Sequence, residues 1–123
     1  MADTPTFSGG SNVAMKLAPE EFGEAVVFYR DTLGLEVEFR SPGTAIVAFG
    51  PIRLWLDRVE GQRHAEIWLE VVTSDAEGAA TVLKAAGVKR CDSVEPLPSG
   101  FRGFWIQNPA GLVHLVAEPD QND

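Results

Sequence analysis

Val27-Phe28-Tyr29-Arg30-Asp31-Thr32-Leu33-Gly34-Leu35 is the stretch on which the reading of this 123-residue chain turns. Just upstream, Pro19 stands at a first helical position, and Glu20 and Glu21 put negative charge where the helix dipole favours it. Phe22, Ala25, Val26, Tyr29 and Leu33 then recur at spacings of three and four, the apolar stripe of a helix over residues 21–33. Gly34 falls where a left-handed residue ends such a helix.

Working outward, Val13, Met15 and Leu17 alternate with Ala14 and Lys16, which predicts a strand over 13–17. Ahead of it, Thr4-Pro5 and Ser8-Gly9-Gly10-Ser11 pack poorly, so residues 1–11 read as a flexible leader. After Gly34 the texture turns to β, with strands at 35–39, 44–49 and 52–59 broken by Ser41-Pro42-Gly43 and Gly50-Pro51. The same order then repeats. A strand at 65–72 precedes a helix that opens on the capping-box spacing of Ser74 and Glu77 and closes at Gly87. Strands follow at 88–94, 101–107 and 112–117. The chain thus divides into the leader, a β-α-β-β-β module at 12–60, a second at 61–118, and an acidic tail at 119–123.

With 18 acidic against 10 basic residues the net charge is −8, and no cationic cluster suits a phosphate backbone, so a nucleic-acid binder is excluded. The lone Cys91 excludes an internal disulfide and a cysteine zinc cluster, which favours a reducing, cytoplasmic setting. No run reaches the ~18 apolar residues of a membrane span, so no membrane partner is expected. No nucleophile elbow, Ser-His-Asp order or phosphate-cradling glycine loop is present.

The segment at 27–35 resembles the first-module signature of the vicinal oxygen chelate superfamily, which includes glyoxalase I, bleomycin-resistance proteins and extradiol dioxygenases. Phe104-Trp105-Ile106-Gln107-Asn108-Pro109-Ala110-Gly111-Leu112-Val113-His114-Leu115 is similar to the family's closing hairpin. The resemblance covers residues 12–118. It implies an α+β fold in which two β-α-β-β-β modules form a cupped mixed sheet, with helices outside and a small-molecule site inside. It also implies a homodimer, which would cover exposed strand edges with one self-complementary patch.

Metal-using members take ligands from four inward positions, on the first and last strand of each module. By that resemblance the first position falls at Ala14, and the second has Arg53 and Trp55, none of them ligands here. The third falls near Trp68, or at Glu70 with a register shift, and the fourth at His114. One competent ligand does not hold a divalent ion, so no cofactor is expected. The alternative is a displaced metal site from His64, Glu66 and His114, with Glu70. His64 otherwise reads as an exposed linker residue, and His114 as either a hydrogen-bonded side chain or a ligand contact.

Trp55, Trp68 and Trp105 fall on predicted strands, with Phe101 and Phe104 beside the last. Each suits a core position, but Trp55 and Trp68 fall where the resemblance puts metal ligands, which turns them toward the cup. Aromatic walls with a few polar groups suit a planar ligand. The expected ligand-binding set is Trp55, Trp68, Trp105, Phe101, Phe104, Arg53, Glu70 and His114. Glu70 and His114 are the acid–base candidates, while Glu66 and Glu70 otherwise pair with Arg53 or Arg102. The function expected is metal-independent binding of an aromatic or drug-like molecule, of the resistance type. The competing expectation is a metal-dependent lyase, isomerase or dioxygenase-like enzyme.

Overall fold

The computed structural model describes residues 4–121. These fall into two compact units, Ser11–Trp68 and a second built from the segment ending at Gly10 together with the chain from Leu69 onward. The expected module limits at 12 and 60/61 therefore move. The chain divides inside two strands, because each of those strands contributes backbone to both units.

The Ser11–Trp68 unit contains most of β1 (Phe7–Leu17), then α1 (Pro19–Val27), β2 (Val37–Ser41), β3 (Thr44–Phe49), β4 (Ile52–Arg58) and the opening residues of β5 (Glu66–Thr73). β2 runs antiparallel to β3, β3 antiparallel to β4, and β4 parallel to β1. Leu17, Phe22, Val26, Ala45, Val47, Leu54 and Leu56 form its core, with Val13 and Met15 packed against it. Side chains alternate along a strand, so Val13, Met15, Leu17, Leu54 and Leu56 meet α1 and their neighbours take the opposite face. Asn12, Ala14 and Lys16 on β1, and Arg53, Trp55 and Asp57 on β4, form that helix-free face.

The helix expected over 21–33 is corrected. α1 ends at Val27 and Phe28–Thr32 forms a π-helical turn, in which the Leu33 N–H reaches five residues back to the Phe28 carbonyl at 3.0 Å. The wider turn breaks the 3.6-residue period, so Tyr29 still packs on the core while Leu33 is left 48% exposed. Gly34, at φ 73°, reverses the chain as expected.

The other unit contains the rest of β5, α2 (Ala76–Ala85), β6 (Lys89–Arg90), β7 (Gly103–Gln107) and β8 (Val113–Ala117). β6 and β7, and β7 and β8, are antiparallel, and β8 is parallel to β5. Ala76, Ala79, Phe104, Ile106 and Val116 make its core. The strand expected at 88–94 shrinks to two residues and a 3₁₀ turn at Asp92–Val94, where Asp92 Oδ1 accepts the Trp105 N–H at 3.0 Å.

Residues 1–11 do not form a leader where they are described, since β1 begins at Phe7; Met1 to Asp3 lie outside the described residues. The Thr6 N–H donates to Ser74 Oγ at 3.0 Å, and the Ser74 N–H returns to the Thr6 carbonyl. A Gly/Ser-rich composition is no obstacle once pairing satisfies the backbone. That use of Ser74 also removes the expected capping box. Asp75 is the N-cap residue without a side-chain cap bond, and the Ala76 N–H is taken instead by Glu118 Oε2 at 2.9 Å.

Glu118 Oε1 also accepts from Arg102 Nε at 2.7 Å, and Gln121 bonds the Arg102 backbone in both directions. The tail is thus tied down as far as Gln121. The Ala76 amide, and then Arg102, hold the Glu118 carboxyl below the ordinary glutamate range. A depressed folded pKa contributes stability above the unfolded value and loses it as pH falls through the folded one. Glu118→Gln is therefore expected to lower the melting temperature at pH 7, with the gap to wild type closing as pH falls below the ordinary glutamate range; a gap constant with pH in thermal melts would contradict this. Among the described residues no helix is long and apolar enough to cross a membrane.

Candidate functional site

The helix-free face of the Ser11–Trp68 unit carries Trp55 and Trp68 among polar and charged side chains. The parallel register of β1 and β4 places Asn12 beside Arg53, Ala14 beside Trp55, and Lys16 beside Asp57. Trp55 Nε1 donates to Asn12 Oδ1 at 2.9 Å, and Trp68 Nε1 donates to Glu66 Oε2 at 2.7 Å. Each indole is thereby held by its polar edge, which fixes the ring.

Cations meet the faces of both rings. Lys16 Nζ stands 4.1 Å from the Trp68 ring centroid and donates to Asp57 Oδ2 at 2.7 Å. Lys16 is only 4% exposed, a buried charge tolerated because a carboxylate and a π-face both meet it. The guanidinium carbons of Arg53 and Arg40 lie 5.2 Å and 5.6 Å from the Trp55 centroid. Trp55, Trp68 and Arg53 stand where sequence parity put them. Asn12, Lys16, Arg40 and Asp57 were missed, although three of them share the parity of Ala14 and Trp55, where a polar residue interrupts apolar alternation.

In the other unit, Glu70 pairs with Leu115, and Leu115 with Trp105, so the three form one row across the sheet. Glu70 lies against Gly10, where a Cβ would collide with its carboxylate. Trp105 is buried, with Nε1 donating to the Glu95 carbonyl at 2.9 Å. Phe104 belongs to the core under α2, with Arg90 4.4 Å from its ring, so it lines no ligand face. Phe101 lies outside the strand against Gly103, and with Arg102, Asp120 and Gln121 it borders an open depression of about 340 Å³.

The expected placement of His114 is corrected. It pairs with Ile106 and shares the parity of Val116, both core residues beneath α2, so it points to the helix side. Its Nδ1 lies 3.1 Å from the Leu112 carbonyl. The inward residue of β8 is Leu115. Asn108 Oδ1 shapes the preceding turn by accepting both the Ala110 and Leu112 N–H groups.

By strand parity Ala14, Trp55 and Trp68 take the open face of the Ser11–Trp68 unit, and Glu70 and Leu115 share a row in the other. Of these side chains only the Glu70 carboxylate could ligate a metal, and one ligand does not hold a divalent ion. His64 is exposed and accepts Gln62 Nε2 on its carbonyl, and Glu66 is engaged by Trp68. Among the described residues, no group of three or more His, Cys, Asp and Glu side chains comes together to hold an ion. The open-face positions named above do not by themselves make up the three or four ligands of a divalent metal.

No family model matches the sequence, and no curated protein is significantly similar to it. Solved structures are similar in fold. The Mn(II)-bound glyoxalase of Novosphingobium aromaticivorans superposes with a TM-score of 0.62 at 22% identity, over 88% of this chain and 38% of that one. A glyoxalase/bleomycin resistance protein/dioxygenase superfamily member from Vibrio splendidus gives 0.58 at 17% identity, over 86% of this chain and 96% of its own. Homoprotocatechuate 2,3-dioxygenase from Arthrobacter globiformis gives 0.61 at 17% identity, over 88% and 35%. This chain therefore spans little more than a third of the glyoxalase and of the dioxygenase. The repeated β-α-β-β-β order, the signature at 27–35 and these superpositions together show that the chain has the vicinal oxygen chelate fold of the glyoxalase/bleomycin-resistance/dioxygenase superfamily.

Proposed function

We propose that this protein binds a small, flat aromatic or conjugated molecule without a metal, in the manner of a drug-binding or resistance protein. The observation that supports this reading is the pair Trp55 and Trp68, held by Asn12 and Glu66 at the inward positions where metal-using relatives are expected to keep ligands. Two oriented indoles offer large apolar area and π-faces, and burial of such area drives binding of planar ligands. A cytoplasmic location and pairing of two copies belong to the same proposal. Phe28, Leu33 and Phe49 in the Ser11–Trp68 unit are each 45% or more exposed, which favours a covered surface.

Calorimetric titration with 1-naphthoate and its neutral amide, 1-naphthamide, tests the proposal. At least one probe is expected to bind saturably, and Trp68→Ala to weaken it by about tenfold or more, the effect of losing one buried aromatic face. Protein purified without a chelator is expected to carry no stoichiometric metal, and light scattering to give a mass near twice 13.3 kDa. Near-stoichiometric manganese, iron, nickel or zinc would instead favour the lyase, isomerase or dioxygenase-like alternative.

A further inference from the structure

Val27, Phe28, Leu33 and Phe49 are each between 45% and 48% exposed, and they lie together rather than scattered. Tyr29, packed against the core of its unit, joins two of them. Its ring meets Phe28 edge-on at 5.1 Å between centroids and Phe49 edge-on at 6.3 Å. Leu33 closes the same π-helical turn with its N–H on the Phe28 carbonyl, and Val27 leads into that turn. Single exposed apolar residues are ordinary, whereas a contiguous set rooted on the core marks an interaction surface.

The charges beside the rings say what covers them. Residues 27–35 hold one cation and one anion, Arg30 and Asp31, so this surface is neutral in a chain whose net charge is −8. Without an excess of cations it suits neither an anionic membrane nor a phosphate backbone. Arg30 Nε and Nη2 donate to Asp31 Oδ1 and Oδ2 at 3.0 Å and 3.1 Å, with the two side chains 47% and 55% exposed, so water screens the pair. Adjacent opposite charges are complementary to their own copy turned about a two-fold axis, because the cation of each then faces the anion of the other.

We infer that this surface pairs with the same surface of a second copy, Phe28 and Phe49 meeting in the middle and Arg30 of each chain reaching Asp31 of the other. The inference rests on the pairing of two copies proposed above and adds which surface pairs and in what register. Aromatic side chains at the centre of such a patch supply most of its binding energy, and the flanking charges fix the register.

Light scattering on the full chain over a dilution series tests this, with circular dichroism confirming the fold of each variant. Wild type is expected near twice 13.3 kDa. Phe28→Glu is expected to raise the dimer dissociation constant about thirtyfold or more, the effect of losing a central aromatic anchor. Arg30→Glu and Asp31→Arg are each expected to raise it about tenfold or more, because each sets like charges against one another across the axis. Mixing these two charge variants is expected to restore association, since in the mixed pair every cation again faces an anion; a pair that acts only within its own chain gives no such rescue. A dimer that Phe28→Glu leaves intact, or a mixture that associates no better than either charge variant alone, overturns the inference and leaves pairing through another surface. A wild-type mass near 13.3 kDa throughout overturns both the inference and the pairing, and leaves the ligand-binding reading standing.

Discussion

Asp57→Ala is expected to destabilise the protein by about 3–5 kcal/mol, whereas Lys16→Met is expected to cost less than about 1 kcal/mol or to stabilise it. The asymmetry follows from burial. Lys16 is 4% exposed and Asp57 20% exposed, and their 2.7 Å contact is between two charges largely withdrawn from water. Removing the carboxylate takes the 2.7 Å ion-pair partner from an ammonium that has already lost most of its hydration. Removing the lysine instead leaves Asp57, the more exposed partner, free to recover solvent. A methionine fills the volume beside Trp68 and makes its own sulfur–aromatic contact. Urea unfolding of both variants and of the double mutant measures the difference; an Asp57→Ala cost below about 1 kcal/mol would show that the pair is solvated and that Lys16 carries no buried-charge penalty.

Leu56→Ala is expected to cost about 2–5 kcal/mol, while Leu56→Met, which preserves volume, is expected to cost less than about 1.5 kcal/mol. Leu56 is fully buried in the core that also contains Leu17, Val26 and Val47. Truncation loses the transfer free energy of three buried carbons and leaves a cavity beneath α1 whose lining loses its contacts. The site is coupled to this position through β4, because Leu56 stands between Trp55 and Asp57 and aims both at the opposite face. Leu56→Ala is therefore also expected to weaken binding of 1-naphthoate, an effect that Leu56→Met should largely spare. Equal unfolding midpoints for the alanine and methionine variants would sink the packing argument.

What the amino-acid order determined by itself is everything that rests on local period and local stereochemistry. The doubled β-α-β-β-β order, the reversal at Gly34 and the inward parity of Ala14, Trp55 and Trp68 follow from alternation of side chains and from one residue's freedom to adopt positive φ. Tertiary structure decided whatever depended on partners distant in sequence. His114 and Leu115 differ by one residue, and with a side-chain period of two that single step exchanges the helix side for the open face; only pairing with Ile106 and Trp105 resolves it. Ser8-Gly9-Gly10-Ser11 forms strand because backbone pairing, not composition, satisfies it. Ser74 is drawn from the expected capping box by Thr6, and Glu118, 42 residues away from Ala76, caps α2 instead. Alternation puts Lys16, Asp57 and Arg40 on the open face, but that Lys16 meets Asp57, 41 residues away, and that Arg40 meets Trp55 is set by how the strands pair. Local geometry specifies which face a side chain takes, but charge pairs, caps and close aromatic contacts are set by strand register, and register is a property of the folded sheet.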